Sequence, residues 1–285
     1  MSDINQKYSD AEIQEIIDNI PIVDDILFTT VISNEEIAKS LLESILNVTV
    51  TKITRIERES QRSEVSNLRG VRFDVYIEDD KTAYDIEIQT SNNSDLPKRT
   101  RFYQAKNDIH MLRKGEKHFS KLKKSYIIFI CTFHPFEDSD TNECIYTFEN
   151  ICLTSNKIIK LKDDAYRVFV NSECDLSKIK NNNLKAFIEL IRDGFHTNTE
   201  SPLTNKILNE IDRVKRNEGW RTDYMTQKER DLDMIHKGQQ EGRQEERIQM
   251  VKGMLENSID INIISSISKL SIQEIKEIQE SMLVK

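Results

Sequence analysis

Residues Val71–Gln89, VRFDVYIEDDKTAYDIEIQ, read as a β-hairpin. The first arm alternates Val71, Phe73, Val75 and Ile77 with Arg72, Asp74, Tyr76 and Glu78. The second alternates Tyr84, Ile86 and Ile88 with Ala83, Asp85, Glu87 and Gln89. Alternation with period two gives each set its own face of a strand. The link Asp79-Asp80-Lys81 is polar and turn-forming. With Asp80 and Lys81 as the turn, Asp74 stands opposite Glu87. The apolar sets of both arms then share a face that a one-residue slip would lose. The other face carries Asp74, Asp85, Glu87 and Gln89. On the residues alone two readings stay open. One is an antiparallel pair with a solvated acidic face. The other is a half-buried carboxylate cluster that needs a cation, for which a divalent metal is the natural choice.

Downstream, PKRTRFYQAKNDIHMLRKGEKHF from Pro97 reads as a helix. Its apolar side would be Phe102, Ala105, Ile109 and Leu112, and Gly115 would break it. Between Pro97 and Lys124 the Lys and Arg residues, Lys98, Arg99 and Arg101 among them, face only Asp108 and Glu116. Such a segment is either a phosphate-facing surface or a solvated helix face. Phe102, Tyr103 and Phe119 among these cations are candidates for stacking on bases, with core packing the simpler account of Phe102.

The rest of the chain frames this pair. Ile13, Ile16, Ile17 and Ile20 give a short amphipathic helix ended by Pro21. Ser33 and Glu36 read as a capping box ahead of a helix bearing Ile37, Leu41, Leu42, Ile45 and Leu46. Val48–Glu59 reads as a strand or ribbon, followed by a polar loop closed by Gly70. KSYIIFICTFHP, Lys124–Pro135, suits a strand buried on both faces. Cys144–Glu149 and Tyr166–Val170 are further strands, and Leu184–Ile191 is a short helix. The order is mixed α/β. Beyond Thr204 the chain is charged and helical, and Gly238 and Gly242 in KGQQEGRQEER predict a joint or frayed helix. Two short amphipathic helices close it, the second capped by Ser271 and Glu274. They read as a helix-turn-helix or as a packing or dimerisation hairpin.

Composition narrows the classes. The chain has 285 residues and a net charge of −8, with 32% charged residues. The overall charge opposes nucleic-acid binding, but the local basic segment carries more weight. The longest apolar run, around Tyr126–Cys131, is far short of the ~20 residues of a membrane span. The start, MSDINQKYSD, has no secretory pattern, and Cys131, Cys144, Cys152 and Cys174 lack CxxC spacing. Reduced thiols in a cytoplasmic protein are expected. The five histidines show no metal-ligand spacing, and the seven glycines form no phosphate loop, so no nucleotide cofactor is expected.

A metal-dependent phosphodiesterase needs acidic oxygens for Mg²⁺ or Mn²⁺, a group that orients water, and cations near the phosphate. Asp74 and Glu87 supply the first, with the Ile88 carbonyl as a further ligand. Gln89 lies on the same face, and Lys98, Arg99 and Arg101 follow. The run D-x12-E-x-Q followed by LPKRTRFYQA resembles the PD-(D/E)XK nuclease family transposases, also called recombination-promoting nucleases. The likeness extends to DDILFTTVI, LLESILN, SYIIFICTFHPF, IYTFEN and KRNEGWRTDYM. The resemblance implies that Asp74 and Glu87 are the metal-binding acids. It sets Gln89 where the wider superfamily has lysine, and Asp25 at an acidic position near the start of the family. Glutamine cannot carry a proton, so it can only orient water or phosphate, leaving Lys98 or Arg99 to supply charge. Asp85 departs from the asparagine usual in relatives, as an extra ligand or an outer acid.

The resemblance therefore implies a restriction-endonuclease-like (PD-(D/E)XK) α/β core, a mixed sheet flanked by helices, with a helical C-terminal extension. The expected divisions are 1–200 for the core, 201–248 for a charged helical linker and 249–285 for a small hairpin. The expected activity is Mg²⁺-dependent (or Mn²⁺-dependent) DNA endonuclease cleavage linked to recombination or mobile elements, with DNA as partner, no membrane, and the tail as a candidate homodimer element. The alternative is a non-catalytic DNA-binding or assembly protein that retains the fold.

Overall fold

The computed structural model describes residues 8–61, 72–92, 95–112, 118–136, 141–154 and 157–283. Val71, Gly70 and Gly115 lie outside these residues, so the expected loop closure and helix break are not among them. The chain divides into a larger unit, Tyr8–Arg221, and a second that includes Thr222–Lys285.

The larger unit is built on one sheet of six strands, in the order β1-β2-β3-β4-β6-β5. The strands are β1 Arg55–Gln61, β2 Arg72–Glu78, β3 Thr82–Gln89, β4 Lys124–Cys131, β5 Ile145–Phe148 and β6 Ala165–Asn171. β2 and β3 form the expected antiparallel hairpin, with Val75 opposite Ile86, Ile77 opposite Tyr84 and Glu78 opposite Ala83. Asp79 N–H donates to the Thr82 carbonyl, which closes the turn around Asp80 and Lys81. β3, β4 and β6 are parallel, and β5 is antiparallel on β6. The step from β3 to β4 is a crossover through helix α4, Leu96–Met111, which parallel strands require.

Helices α1 Asp10–Asp18, α2 Asp25–Ile32, α3 Glu35–Leu46, α5 Asn182–Asp193 and α6 Pro202–Lys215 complete the unit. α2 packs on β1 and β2, and α2, α3, α5 and α6 pack on one another. β4 is buried from Ser125 to Cys131, as its unbroken apolar run predicts. α6 buries Leu203, Ile207, Ile211 and Val214, so it is part of this unit's core.

Four expectations are corrected. Asn34, not Ser33, caps α3, accepting from Glu36 N and Ile37 N, while Ser33 ends α2. A one-residue shift satisfies both helix ends with adjacent polar side chains. Cys144 and Cys174 form a disulfide, whereas reduced thiols were expected. The antiparallel pairing of β5 with β6 brings these two cysteines together from 30 residues apart. Gly238 and Gly242 do not break the chain: α7 runs from Glu218 to Glu256 through both. Finally, α4 turns its apolar side outward. Phe102 and Ile109 are exposed, while Thr100, Tyr103, Gln104 and Asn107 are buried.

In the second unit α8 Ile261–Ser268 and α9 Ile272–Leu283 bury Ile264 and Ile275 against Val251 of α7. Ser271 and Glu274 form the expected reciprocal cap of α9. Among the described residues no helix is long and apolar enough to cross a membrane.

Candidate metal centre

The acidic face of the hairpin is buried rather than solvated. Asp85 is 0% exposed, Glu87 3% and Gln89 7%. The parallel register sets Asp85 beside Ile127, Glu87 beside Phe129 and Gln89 beside Cys131, all on the side that α4 covers. Tyr103 of α4 packs edge-on to Phe129, and Gln104 Nε2 donates to Ser125 Oγ at 2.6 Å. The sheet is covered here because its parallel crossover lies over it.

Where the β2–β3 ladder ends, side chains take over its hydrogen bonds. Asp74 N–H donates to Glu87 Oε1 at 3.0 Å. Ile88 N–H donates to Asp74 Oδ2 at 2.9 Å. Each carboxylate is thus fixed by the backbone of the opposite strand. The hairpin register of the sequence puts both acids there, and the reciprocal lock holds them side by side. Burial raises the Glu87 pKa well above its usual range, and the charges of Asp74 and Asp85 raise it further. Two buried acids beside the half-buried Asp74 cannot all stay ionised without a counter-charge.

Among the described residues, Arg99 is a cation that acts on Glu87. Its Nη1 donates to Gln89 Oε1 at 2.6 Å and its Nη2 to Tyr103 Oη at 3.3 Å. Its guanidinium lies 5.7 Å from the ring centres of both Tyr103 and Phe129. Burial disfavours this cation, but the Tyr103 hydroxyl, then Glu87 and Asp95, outweigh it and raise its pKa. Gln89 Nε2 donates to the Ser91 carbonyl, which fixes the amide's orientation. Burial beside Glu87 raises the Tyr103 pKa as well.

The other expected residues lie around this group. Lys98 and Arg101 are exposed on α4. Asp25 is exposed in the first turn of α2, where its carboxylate accepts Ile26 N–H at 3.0 Å. Its neighbour Asp24 caps that helix. The arrangement therefore brings together Asp74, Asp85, Glu87, Gln89 and Arg99. Tyr103 was not assigned to this group from sequence. Its signal was the spacing of Thr100, Tyr103, Gln104 and Asn107, a polar stripe of helical period.

Among the described residues no cluster of three or more His, Cys, Asp or Glu takes the form of a metal site. The donor set still fits a hard divalent ion: paired, backbone-held carboxylates and a raised Glu87 pKa.

The sequence pattern of the PD-(D/E)XK nuclease family transposases matches residues 25–241. The chain belongs to this family. The match spans the six-stranded sheet, and the mixed sheet flanked by helices is that of the restriction-endonuclease-like fold. Neither the curated proteins nor the solved structures searched contain a match. As a PD-(D/E)XK family member the chain is related to nucleases, a class that acts on DNA and generally uses divalent metals.

Proposed function

We propose that this protein is a metal-dependent DNA endonuclease that works in recombination or on mobile elements. The observation that carries the reading is the reciprocal lock of Asp74 and Glu87 at the open end of a buried hairpin. Asp74 and Glu87 would hold Mg²⁺ or Mn²⁺, together with the Ile88 carbonyl. An extended residue directs its N–H and C=O toward the same neighbouring strand, and the Ile88 N–H already points at Asp74. When bound, such an ion polarises a phosphate and lowers the pKa of its water.

The chain's own groups do the rest. Asp85 lies beside Glu87, and its charge helps to raise the Glu87 pKa. Arg99 places a permanent positive charge at Gln89, where the superfamily has lysine. Gln89 holds that guanidinium and orients water or phosphate by hydrogen bonds. Lys98 and Arg101 on the outer side of α4 meet the DNA backbone. Asp25 is a helix-end residue in this reading.

Plasmid nicking by the purified full chain tests this. Cleavage should need Mg²⁺ or Mn²⁺ and vanish in Asp74→Ala and Glu87→Ala while circular dichroism is unchanged. Equal cleavage by the variants would defeat the assignment and point to a contaminant. DNA binding with no cleavage under either metal would favour a non-catalytic DNA-binding protein.

A further inference from the structure

Helix α4 is amphipathic with its sides exchanged. The side toward the sheet is Leu96, Thr100, Tyr103, Gln104 and Asn107, with Asn107 fully buried. The outer side carries Phe102, 40% exposed, and Ile109, 61% exposed. At about 100° per residue, Lys98, Phe102, Ala105 and Ile109 fall on one stripe, with Arg101 along one edge and Lys106 along the other. Lys106 Nζ sits 5.3 Å from the centre of the Phe102 ring. The helix's one acidic residue, Asp108, accepts from Gln104 Nε2 and so is turned from this stripe. The result is an exposed ring edged by cations on a chain whose net charge is −8. An apolar stripe in water needs a reason, and its charged edges say what it suits: a partner with flat apolar faces and a negative backbone.

We propose that the outer face of α4 binds an unpaired nucleic-acid strand, a base stacking on Phe102 and phosphates meeting Lys98, Arg101 and Lys106. Duplex DNA hides its base faces in the stack, so it can use the cations but not the ring. α4 starts beside the acidic pair, where Arg99 bonds Gln89. A strand lying along the helix is thereby led toward Asp74 and Glu87. The inference names a substrate form for the nuclease reading and rests on it, but binding is measured without cleavage.

The experiment is fluorescence anisotropy of a labelled oligothymidylate of about 12 nucleotides with the full chain in EDTA. Phe102→Ala should weaken binding about tenfold and Phe102→Trp should retain it. A duplex of the same length should bind both variants within about twofold of the wild type, as phosphate contacts alone predict. The proposal fails if Phe102→Ala binds the oligonucleotide as wild type does. It also fails if Phe102→Trp is as weak as the alanine variant with an unchanged fold, or if polyglutamate competes as well as the oligonucleotide does. Absent nicking with intact Phe102-dependent binding would overturn the nuclease reading alone. Metal-dependent nicking with Phe102-independent binding would overturn this inference alone.

Discussion

Glu78 and Glu87 lie on the same face of one hairpin, at its two ends, and their surroundings push them in opposite directions. At the turn end Lys123 Nζ meets Glu78 Oε2 at 3.1 Å and the Asp79 carbonyl at 2.7 Å. Burial would raise the Glu78 pKa, but the hydrogen bonds from Tyr76 and Lys123 lower it. At the open end burial, Asp74 and Asp85 all raise the Glu87 pKa, and Arg99 offsets only part. A carboxylate that serves the fold is given its cation from the chain. On the proposed reading, the carboxylate whose pKa is raised is the one that a cation from solution would meet. Local strain of this kind is characteristic of functional sites.

Four results would sharpen or break that contrast. Asp74→Ala or Glu87→Ala should cut the nicking rate about a thousandfold or more, the loss of several kcal/mol of metal-supplied stabilisation. A loss below tenfold would show that the open end is not the reacting site.

The second concerns pH. Glu87 keeps its proton in the folded chain at a pH where the unfolded chain, titrating near ~4.3, has lost it. The folded state then binds more protons, so stability falls as pH rises from ~4.3 through the raised pKa. Urea unfolding of metal-free protein between pH 4.5 and about 8 should show this fall, and Glu87→Gln should remove most of it. An identical pH profile in the variant would assign the effect elsewhere.

Third, Arg99→Lys keeps the charge but loses the planar fork that reaches Gln89 and Tyr103 together. About a tenfold drop in kcat/KM is expected, and unchanged kinetics would deny Arg99 a role. The smallest effect belongs to the turn end. Glu78→Gln should cost up to about 1 kcal/mol at neutral pH, with nicking unchanged per folded molecule. Glu78's lowered pKa means its contribution is present above the unfolded carboxylate range and lost as pH falls through the folded value. A gain in stability at neutral pH would erase the contrast with Glu87.

The hairpin was legible because register follows from period two and from a turn at Asp80-Lys81, both local properties. β4 was legible because a strand covered on both faces has no polar alternation to hide it. The burial of the acidic face was not, since it depends on a crossover helix from the next segment. The facing of α4 was misread for a related reason. Phe102, Ala105 and Ile109 recur at helical spacing as well as Tyr103, Gln104 and Asn107 do, and hydrophobicity chose the former. The buried polar side rests on tertiary contacts such as Gln104 with Ser125, which no periodicity records. The disulfide was hidden because Cys144 and Cys174 meet only through the pairing of β5 with β6. In the candidate site Asp74, Glu87 and Gln89 stood out in the hairpin's register. The contacts of Arg99 with Gln89 and Tyr103 needed the fold.

The central claim is that Asp74 and Glu87 at the open end of the hairpin hold a divalent ion. Thermal unfolding of the wild type and of Glu87→Gln near neutral pH, in EDTA and in millimolar Mg²⁺, tests it most directly. Binding to the folded state alone must stabilise it. The account predicts that Mg²⁺ raises the wild-type midpoint, that Glu87→Gln unfolds higher than wild type in EDTA, and that Mg²⁺ leaves the variant unmoved. A wild type indifferent to both Mg²⁺ and Mn²⁺, or a variant less stable than wild type in EDTA, would contradict it.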